Sequence, residues 1–273
     1  MSATMSDACA QTPQPLALTT YPHVLLYGAT LAAITEQECV RLVMDELDAG
    51  HGGRLITLNL DHLRRFVYDS AYAGIVQGAD LIVADGMPLI WASRLRSTPL
   101  PERVTGSNLI WSLSHAAAAR GRSVFMLGGR NDAAERSAHI LQTAYPRLQI
   151  VGVCAPAFGF EQRAAELEAL FETVRRAQPD IIYVALGSPK ADVLIQQLRA
   201  VAPRAWGIGV GITFSWVAGD LQRAPRWMQS LGLEWLHRLW NEPRRLGRRY
   251  LIDDLPFALR LFVHAFGAHG TQA

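Results

Sequence analysis

Six short apolar, β-rich runs, each separated from the next by a helix-length stretch, constrain this chain more than any other feature. They are Leu55 to Leu58, Leu81 to Ala84, Val124 to Leu127, Ile150 to Val153, Ile181 to Leu186 and Ala205 to Val210, with Val24 to Tyr27 offering a seventh. Strand, helix, strand repeated this often predicts a parallel sheet covered by helices on both faces, an α/β class of Rossmann-like architecture. Thr35-Glu36-Gln37-Glu38 reads as a capping box opening a helix whose stripe carries Val40, Val43 and Leu47. Asp61, Ser107, Asp132 and Ser188 are candidate caps for later helices.

Composition narrows the class further. Half of the 273 residues are hydrophobic, and 26 basic side chains nearly balance 24 acidic ones, which excludes a disordered chain. The length suits one large domain, or one domain with an appendage. Cys9, Cys39 and Cys154 form no CxxC pair, so neither a disulfide framework nor a zinc site is indicated, and a reducing compartment fits best. Residues 1–21 hold one acid, no base and no continuous apolar run, the reading of a loose leader and not of a secretory signal. The apolar stretches Val24 to Ile34 and Ala205 to Gly219 fall short of the roughly 20 residues that cross a bilayer.

Charge is distributed unevenly. Lys190 is the sole lysine, so the other 25 basic residues are arginines, whose planar fork suits phosphate and carboxylate; a compositional bias of the genome would produce the same count. Residues 221–273 carry eight arginines against four acids, a net of +4, while residues 1–220 carry a net of −2. The basic surplus near the C-terminus points to an anionic ligand or a membrane surface. There Trp227, Leu231, Trp235, Leu236, Leu239 and Trp240 lie among arginines at near-helical spacing before Pro243 starts or kinks a second piece. The organisation expected is therefore a leader (1–21), an α/β body (22–220) and a helical basic appendage (221–273).

Ligands of open parallel sheets bind beyond the carboxyl ends of the strands. That rule singles out Thr57 and Asn59, Asp85, Gly128 to Arg130, Gly187 to Lys190, and Gly209 to Gly211. Asp85 ends an apolar strand and precedes Gly86; an ionised carboxylate there can take a proton from an attacking hydroxyl, or it caps the helix that begins at Met87. Thr57 and Asn59 have short side chains able to grip sugar hydroxyls, or serve as ordinary strand and turn residues. Gly128-Gly129 and Gly187-Ser188-Pro189-Lys190 each follow a buried strand and open a helix, where free amides favour an anion. Each loop alone is equally a ligand-free turn, but two on one sheet edge favour a nucleotide.

Arg103 lies on a loop between helices, within reach of a ligand's negative charge or of a nearby carboxylate. Arg238, Arg245 and Arg248 are seven and three apart, which on a continuous helix would group them on one side, a ligand-facing or a solvated rim. Gly207-Ile208-Gly209-Val210-Gly211 is not the dinucleotide fingerprint, and no Walker motif, GxSxG elbow or DxD pair occurs. The eight histidines show no metal-ligand spacing, so neither a metal nor a cofactor is expected.

With these residues in view, the chain resembles the WecG/TagA/CpsF family of bacterial glycosyltransferases, glycosyltransferase family 26. The resemblance runs from about Val24 to Phe262. It is carried by Thr57-Leu58-Asn59, Ala84-Asp85-Gly86-Met87-Pro88, Pro101-Glu102-Arg103-Val104-Thr105-Gly106, Leu127-Gly128-Gly129, Leu186-Gly187-Ser188-Pro189-Lys190, Arg223-Ala224-Pro225-Arg226-Trp227-Met228, Leu233-Glu234-Trp235 and Glu242-Pro243-Arg244-Arg245. It implies an inverting, metal-independent transfer of an N-acetylmannosamine-type hexosamine or hexuronate from a UDP-sugar to a polyprenyl-diphosphate-linked acceptor, on the cytoplasmic face of the membrane. By that resemblance Asp85 is the general base, Thr57 and Asn59 line the sugar site, and Arg103 contacts the ligands. The C-terminal appendage would close over the cleft on an anionic membrane surface, with Arg238, Arg245 and Arg248 holding the diphosphate.

Two positions depart from the family pattern. Ala191-Asp192 stands where Gln-Glu usually follows Gly-Ser-Pro-Lys, so a polar contact is expected to be missing, and Asn108 stands where Asp is common. They support the alternative of a membrane-tethered nucleotide-sugar-binding protein without turnover. Nucleic-acid binding is disfavoured by the overall charge of +2 and by a C-terminal segment that mixes Arg with Trp and Leu. Self-association is left open.

Overall fold

The computed structural model describes residues 21–267. Its centre is a six-stranded, wholly parallel sheet formed by β3 (Gly53–Leu58), β4 (Leu81–Ala84), β5 (Ser123–Gly128), β6 (Gln149–Cys154), β7 (Ile181–Ala185) and β8 (Trp206–Gly209) in the spatial order β4-β3-β8-β7-β5-β6. All six predicted runs are strands of it. Every residue of β3, β4, β5 and β7 is buried, whereas the edge strand β6 alternates exposed and half-buried positions before ending half-buried.

Strand side chains alternate between faces, so each strand feeds two cores. Leu55, Leu81, Val83, Val124, Met126, Ile181 and Tyr183 join one core with the helices Glu36–Asp48, Gly106–Arg120 and Ala133–Ala144. Their neighbours Ile56, Leu58, Ile82 and Ala84 pack on the other face against Leu60–Tyr68, Ser70–Gln77 and Met87–Leu95. Further along that face, Phe125, Leu127, Ile182 and Val184 meet Ala164–Ala177 and Lys190–Leu198. This period of two, flanked by helices on both sides, is the doubly covered architecture that the runs predict.

The seventh run is a strand, but not of this sheet. β1 (His23–Leu26) pairs antiparallel with β2 (Ala29–Ala32) in a separate hairpin. The two loop residues, Tyr27 at φ 48° and Gly28 at φ 86°, both have the left-handed backbone that a tight hairpin turn requires.

Capping also differs in detail from expectation. The Thr35–Glu38 box is present, with Thr35 N donating to Glu38 Oε2 at 2.7 Å. Asn59 and not Asp61 caps Leu60–Tyr68, and Thr105 and not Ser107 caps Gly106–Arg120. Asp132 occupies its expected cap position without a side-chain cap bond and instead pairs with Arg136 at 3.1 Å. Pro189 holds the cap position of Lys190–Leu198, so Ser188 is not its cap.

Beyond Gly219 the chain forms Arg226–Ser230, Glu234–Asn241, Pro243–Gly247, a π-helical segment Arg248–Asp254, and Leu255–Gly267. The last helix buries Phe257, Leu261 and Ala265 in the core that also contains the hairpin and Met87–Leu95. Tyr27 stacks on His264 with ring centroids 4.4 Å apart and donates its hydroxyl to the Arg260 carbonyl at 3.1 Å. Ion pairs complete the docking: Arg64 bridges Asp61 and Asp254 at 2.7 and 3.1 Å, and Arg249 meets Asp61 at 3.0 Å. Among the described residues no helix is long and apolar enough to cross a membrane.

Candidate active site

The connection after β3 turns to the face of Leu60–Tyr68, while the one after β8 turns to the opposite face, where Phe214 is buried. Neighbouring strands whose connections diverge leave a crevice at their carboxyl ends. A cavity of about 410 Å³ opens there, within the size range of small-molecule sites. Thr57, Asn59, Asp85, Arg103, Gly187, Ser188 and Arg238 all line it. So do Ala191, Asp192 and Trp216, and an apolar wall built from Met87, Trp91, Ala258 and Phe262.

Asp85 lies just past the end of β4, fixed by its own N–H donating to the Leu58 carbonyl at 2.8 Å. The helix Met87–Leu95 has Gly86 at its cap position and no side-chain cap bond, so Asp85 does not cap it. Gly86 has φ 146°, a backbone closed to ordinary L-residues, and this turn leaves the carboxylate directed to the cavity. Asp85 keeps part of its surface open to that space while protein encloses it all round. Burial pushes its pKa up to about 6, opposed by Arg103, reinforced by Glu234, and opposed again by Arg238 and Arg223. The side chain is thus ionised at neutral pH yet far more basic than an exposed aspartate.

Asn59 Oδ1 accepts from the His62 backbone N–H at 3.1 Å, so its capping role and its place in the cavity wall coexist. The Thr57 carbonyl faces His62 Nδ1 at 3.2 Å. A carbonyl can only accept, so Nδ1 carries the proton and Nε2 is left as an acceptor. Burial lowers the His62 pKa despite the nearby Asp192 and Asp61 carboxylates, and this histidine, one turn beyond Asn59, is a cavity residue that the sequence reading passed over.

Arg103 donates from Nη1 to Glu234 Oε2 at 3.0 Å, and Arg223 donates from Nε to Glu234 Oε1 at 3.2 Å. Glu234 is buried; burial alone would raise its pKa, but the charges and hydrogen bonds of Arg223 and Arg103 hold it below the usual carboxylate range. Arg223 also donates to Asn108 Oδ1 at 2.8 Å, and Asn108 Nδ2 donates to Glu36 at 3.2 Å. Asn108 therefore joins the C-terminal segment to the body. Asp192 Oδ2 accepts from Tyr72 and Ser188 at 2.9 and 3.0 Å, so a carboxylate is present on this wall despite the departure from the family pattern; Ala191 brings only a methyl.

The expected arginine trio does not share a helix. Proline cannot donate a backbone N–H and forces the residue before it out of helical geometry. Glu242 accordingly has φ −131° and ψ 58°, ending Glu234–Asn241 before Pro243 opens the next helix. Arg238 reaches the cavity, its guanidinium 5.6 Å from the Trp216 ring and its buried Nε without a hydrogen-bond partner among the described residues. Arg248 is exposed and outside the lining; in the π-helical segment it is Arg249 that lines the cavity. The Arg245 side chain lies outside the described ones.

Gly128, Gly129 and Lys190 are not part of the lining. A side chain on Gly128 would lie 2.9 Å from the Ala185 carbonyl, and one on Gly129 3.2 Å from Phe214, so close packing accounts for both glycines. Lys190 pairs with Glu161 and sits 5.0 Å above the Phe158 ring. Among the described residues no group of three His, Cys, Asp or Glu is placed to hold a metal ion.

The site thus combines a basic carboxylate that is unpaired among the described residues, hydrogen-bonding groups at the strand ends and guanidiniums brought in by the C-terminal segment. Such a set can deprotonate a hydroxyl and stabilise a departing anion. Comparison with known protein families matches residues 24–270 to the glycosyl transferase WecG/TagA/CpsF family. The chain belongs to that family, and is a glycosyltransferase of cell-surface polysaccharide synthesis.

Proposed function

We propose that the chain transfers a sugar, an N-acetylmannosamine-type hexosamine or hexuronate, from a UDP-linked donor to a polyprenyl-diphosphate-linked acceptor, with inversion and without a metal. The observation that carries this reading is the position of Asp85: its carboxylate takes no hydrogen bond from the described residues and opens onto the same cavity as Arg238. In the reaction the acceptor hydroxyl attacks the anomeric carbon from the side opposite the diphosphate and passes its proton to Asp85. The bond from that carbon to the β-phosphate oxygen breaks, and UDP leaves with the electron pair. Arg238 offers the charge that receives it, and Arg249 lines the same cavity. Thr57, Asn59 and the acceptor Nε2 of His62 are placed for sugar hydroxyls.

The acceptor's lipid places the work at a membrane surface. The helix Leu255–Gly267 supports this, because Leu255, Leu259, Val263 and Phe266 recur at helical spacing on its outward side and are 50–73% exposed. Trp240 is 85% exposed on the same segment, and the exposed Arg244 and Arg248 supply charge for anionic lipid. The test is a screen of UDP-sugars against short polyprenyl-diphosphate-linked sugars. Transfer by the wild type and its loss in Asp85→Asn supports the reading. UDP binding without transfer from any donor would favour a nucleotide-sugar-binding protein instead.

A further inference from the structure

We propose that Glu234 is a positioning residue of the transfer reaction, delivered by the C-terminal segment to hold Arg103 and Arg223 away from the carboxylate of Asp85. The inference rests on Asp85 being the base. Arg103, Arg223 and Arg238 all face Asp85 as opposite charges, and Glu234 is the acid among them. Arginine forks bind carboxylates strongly and in two-pronged fashion, so guanidiniums free to move would close on Asp85 and occupy the lone pairs needed for the acceptor proton. Glu234 removes that option by taking one of these arginines on each of its oxygens, at 3.0 and 3.2 Å.

The arrangement is fixed from both sides. Glu234 is buried and would be costly to leave there unpaired, so it needs the two arginines as much as they need it. Arg223 is anchored a second time by Asn108, and Arg103 comes from the body and not from the C-terminal segment. Docking of that segment is then what supplies Arg103 with a partner other than Asp85. Before docking, the base is covered by Arg103; after it, the base is free. The electrostatics of the docked form agree, since the charge of Glu234 adds to the basicity of Asp85.

The test needs neither donor nor acceptor. In the full-length protein labelled with ¹³C at aspartate carboxyls, Asp85→Asn identifies the Asp85 resonance, which is expected to titrate at about 6 in the wild type. Glu234→Gln is expected to lower that midpoint by about one pH unit, and Glu234→Asp to restore most of it. The double variant Glu234→Gln with Arg103→Gln separates capture by Arg103 from mere exposure of Asp85 to water. The proposal expects the midpoint to return toward the wild-type value, because no free Arg103 remains to cover Asp85; a fall caused only by exposure to water would leave it as low as in the single variant. An unmoved midpoint in Glu234→Gln, or a double variant identical to the single one, overturns the proposal. Turnover by Asp85→Asn fails the base assignment instead, and is scored in a separate assay.

Discussion

Loss of the Asp85 carboxylate is the perturbation whose size follows most directly from the structure. With burial raising its pKa to about 6, the group gains basicity while remaining roughly nine-tenths ionised at pH 7. Its pKa is above that of an exposed aspartate, so protonation on acidification begins in the range where most enzymes are assayed. The expected pH profile of kcat/KM has an acid limb with its midpoint near 6, falling about tenfold for each further pH unit. Asp85→Asn removes the proton acceptor but keeps size and shape, and is expected to lower turnover by about 100-fold or more. UDP retention should change little, because the nucleotide's charge is met by guanidiniums and not by Asp85. Radiolabelled sugar transfer across a pH series, with calorimetric UDP titration of both proteins, measures all of this. A variant that retains wild-type turnover, or a wild type with no limb between pH 5 and 7, would refute the base assignment.

Arg238→Ala should weaken UDP binding by about tenfold, with Arg238→Lys recovering little of it because a point charge lacks the planar fork; calorimetry decides. Leu261, 1% exposed on the buried side of the last helix, should cost about 2–5 kcal/mol when changed to Ala, read as a fall in thermal midpoint. Asp254, whose pKa burial and Asp61 push up to about 6, favours the docked fold when protonated, and that contribution is lost as pH rises through 6. Proteolysis within residues 221–267 should therefore be slower at pH 5.5 than at 7.5, with the difference reduced in Asp254→Asn. Sedimentation with anionic vesicles, reversed by high salt, tests the membrane surface.

What sequence reveals here follows the range of the forces involved. Burial of a parallel strand on both faces demands a continuous apolar run, so β3, β4, β5 and β7 announce themselves, and strand ends then point to Thr57, Asn59 and Asp85 before any contact is known. The β1–β2 hairpin is hidden because its turn, Tyr27-Gly28, lacks the Asn-Gly or Asp-Gly pair that usually signals one. Asn59 and Thr105 displace Asp61 and Ser107 as caps because the helices begin at Leu60 and Gly106, so both candidates already lie within the first turn. The arginines are misgrouped for a geometric reason: spacing across Pro243 assumes one helix axis, and a helix break followed by π-helical turns substitutes Arg249 for Arg248. Glu234 is legible as a lone acid near arginines, but its partners lie 131 and 11 residues away and only the fold brings them together.

The last helix covers the helix Met87–Leu95, which carries Leu89 and Ile90, and stacks on the hairpin at Tyr27. During synthesis that surface stays bare until residues 255–265 have left the ribosome, long after the elements beneath it have emerged. The newborn protein therefore passes through a period with an uncovered greasy flank beside an unfinished cleft, and a chain truncated before residue 255 would be sticky as well as inactive.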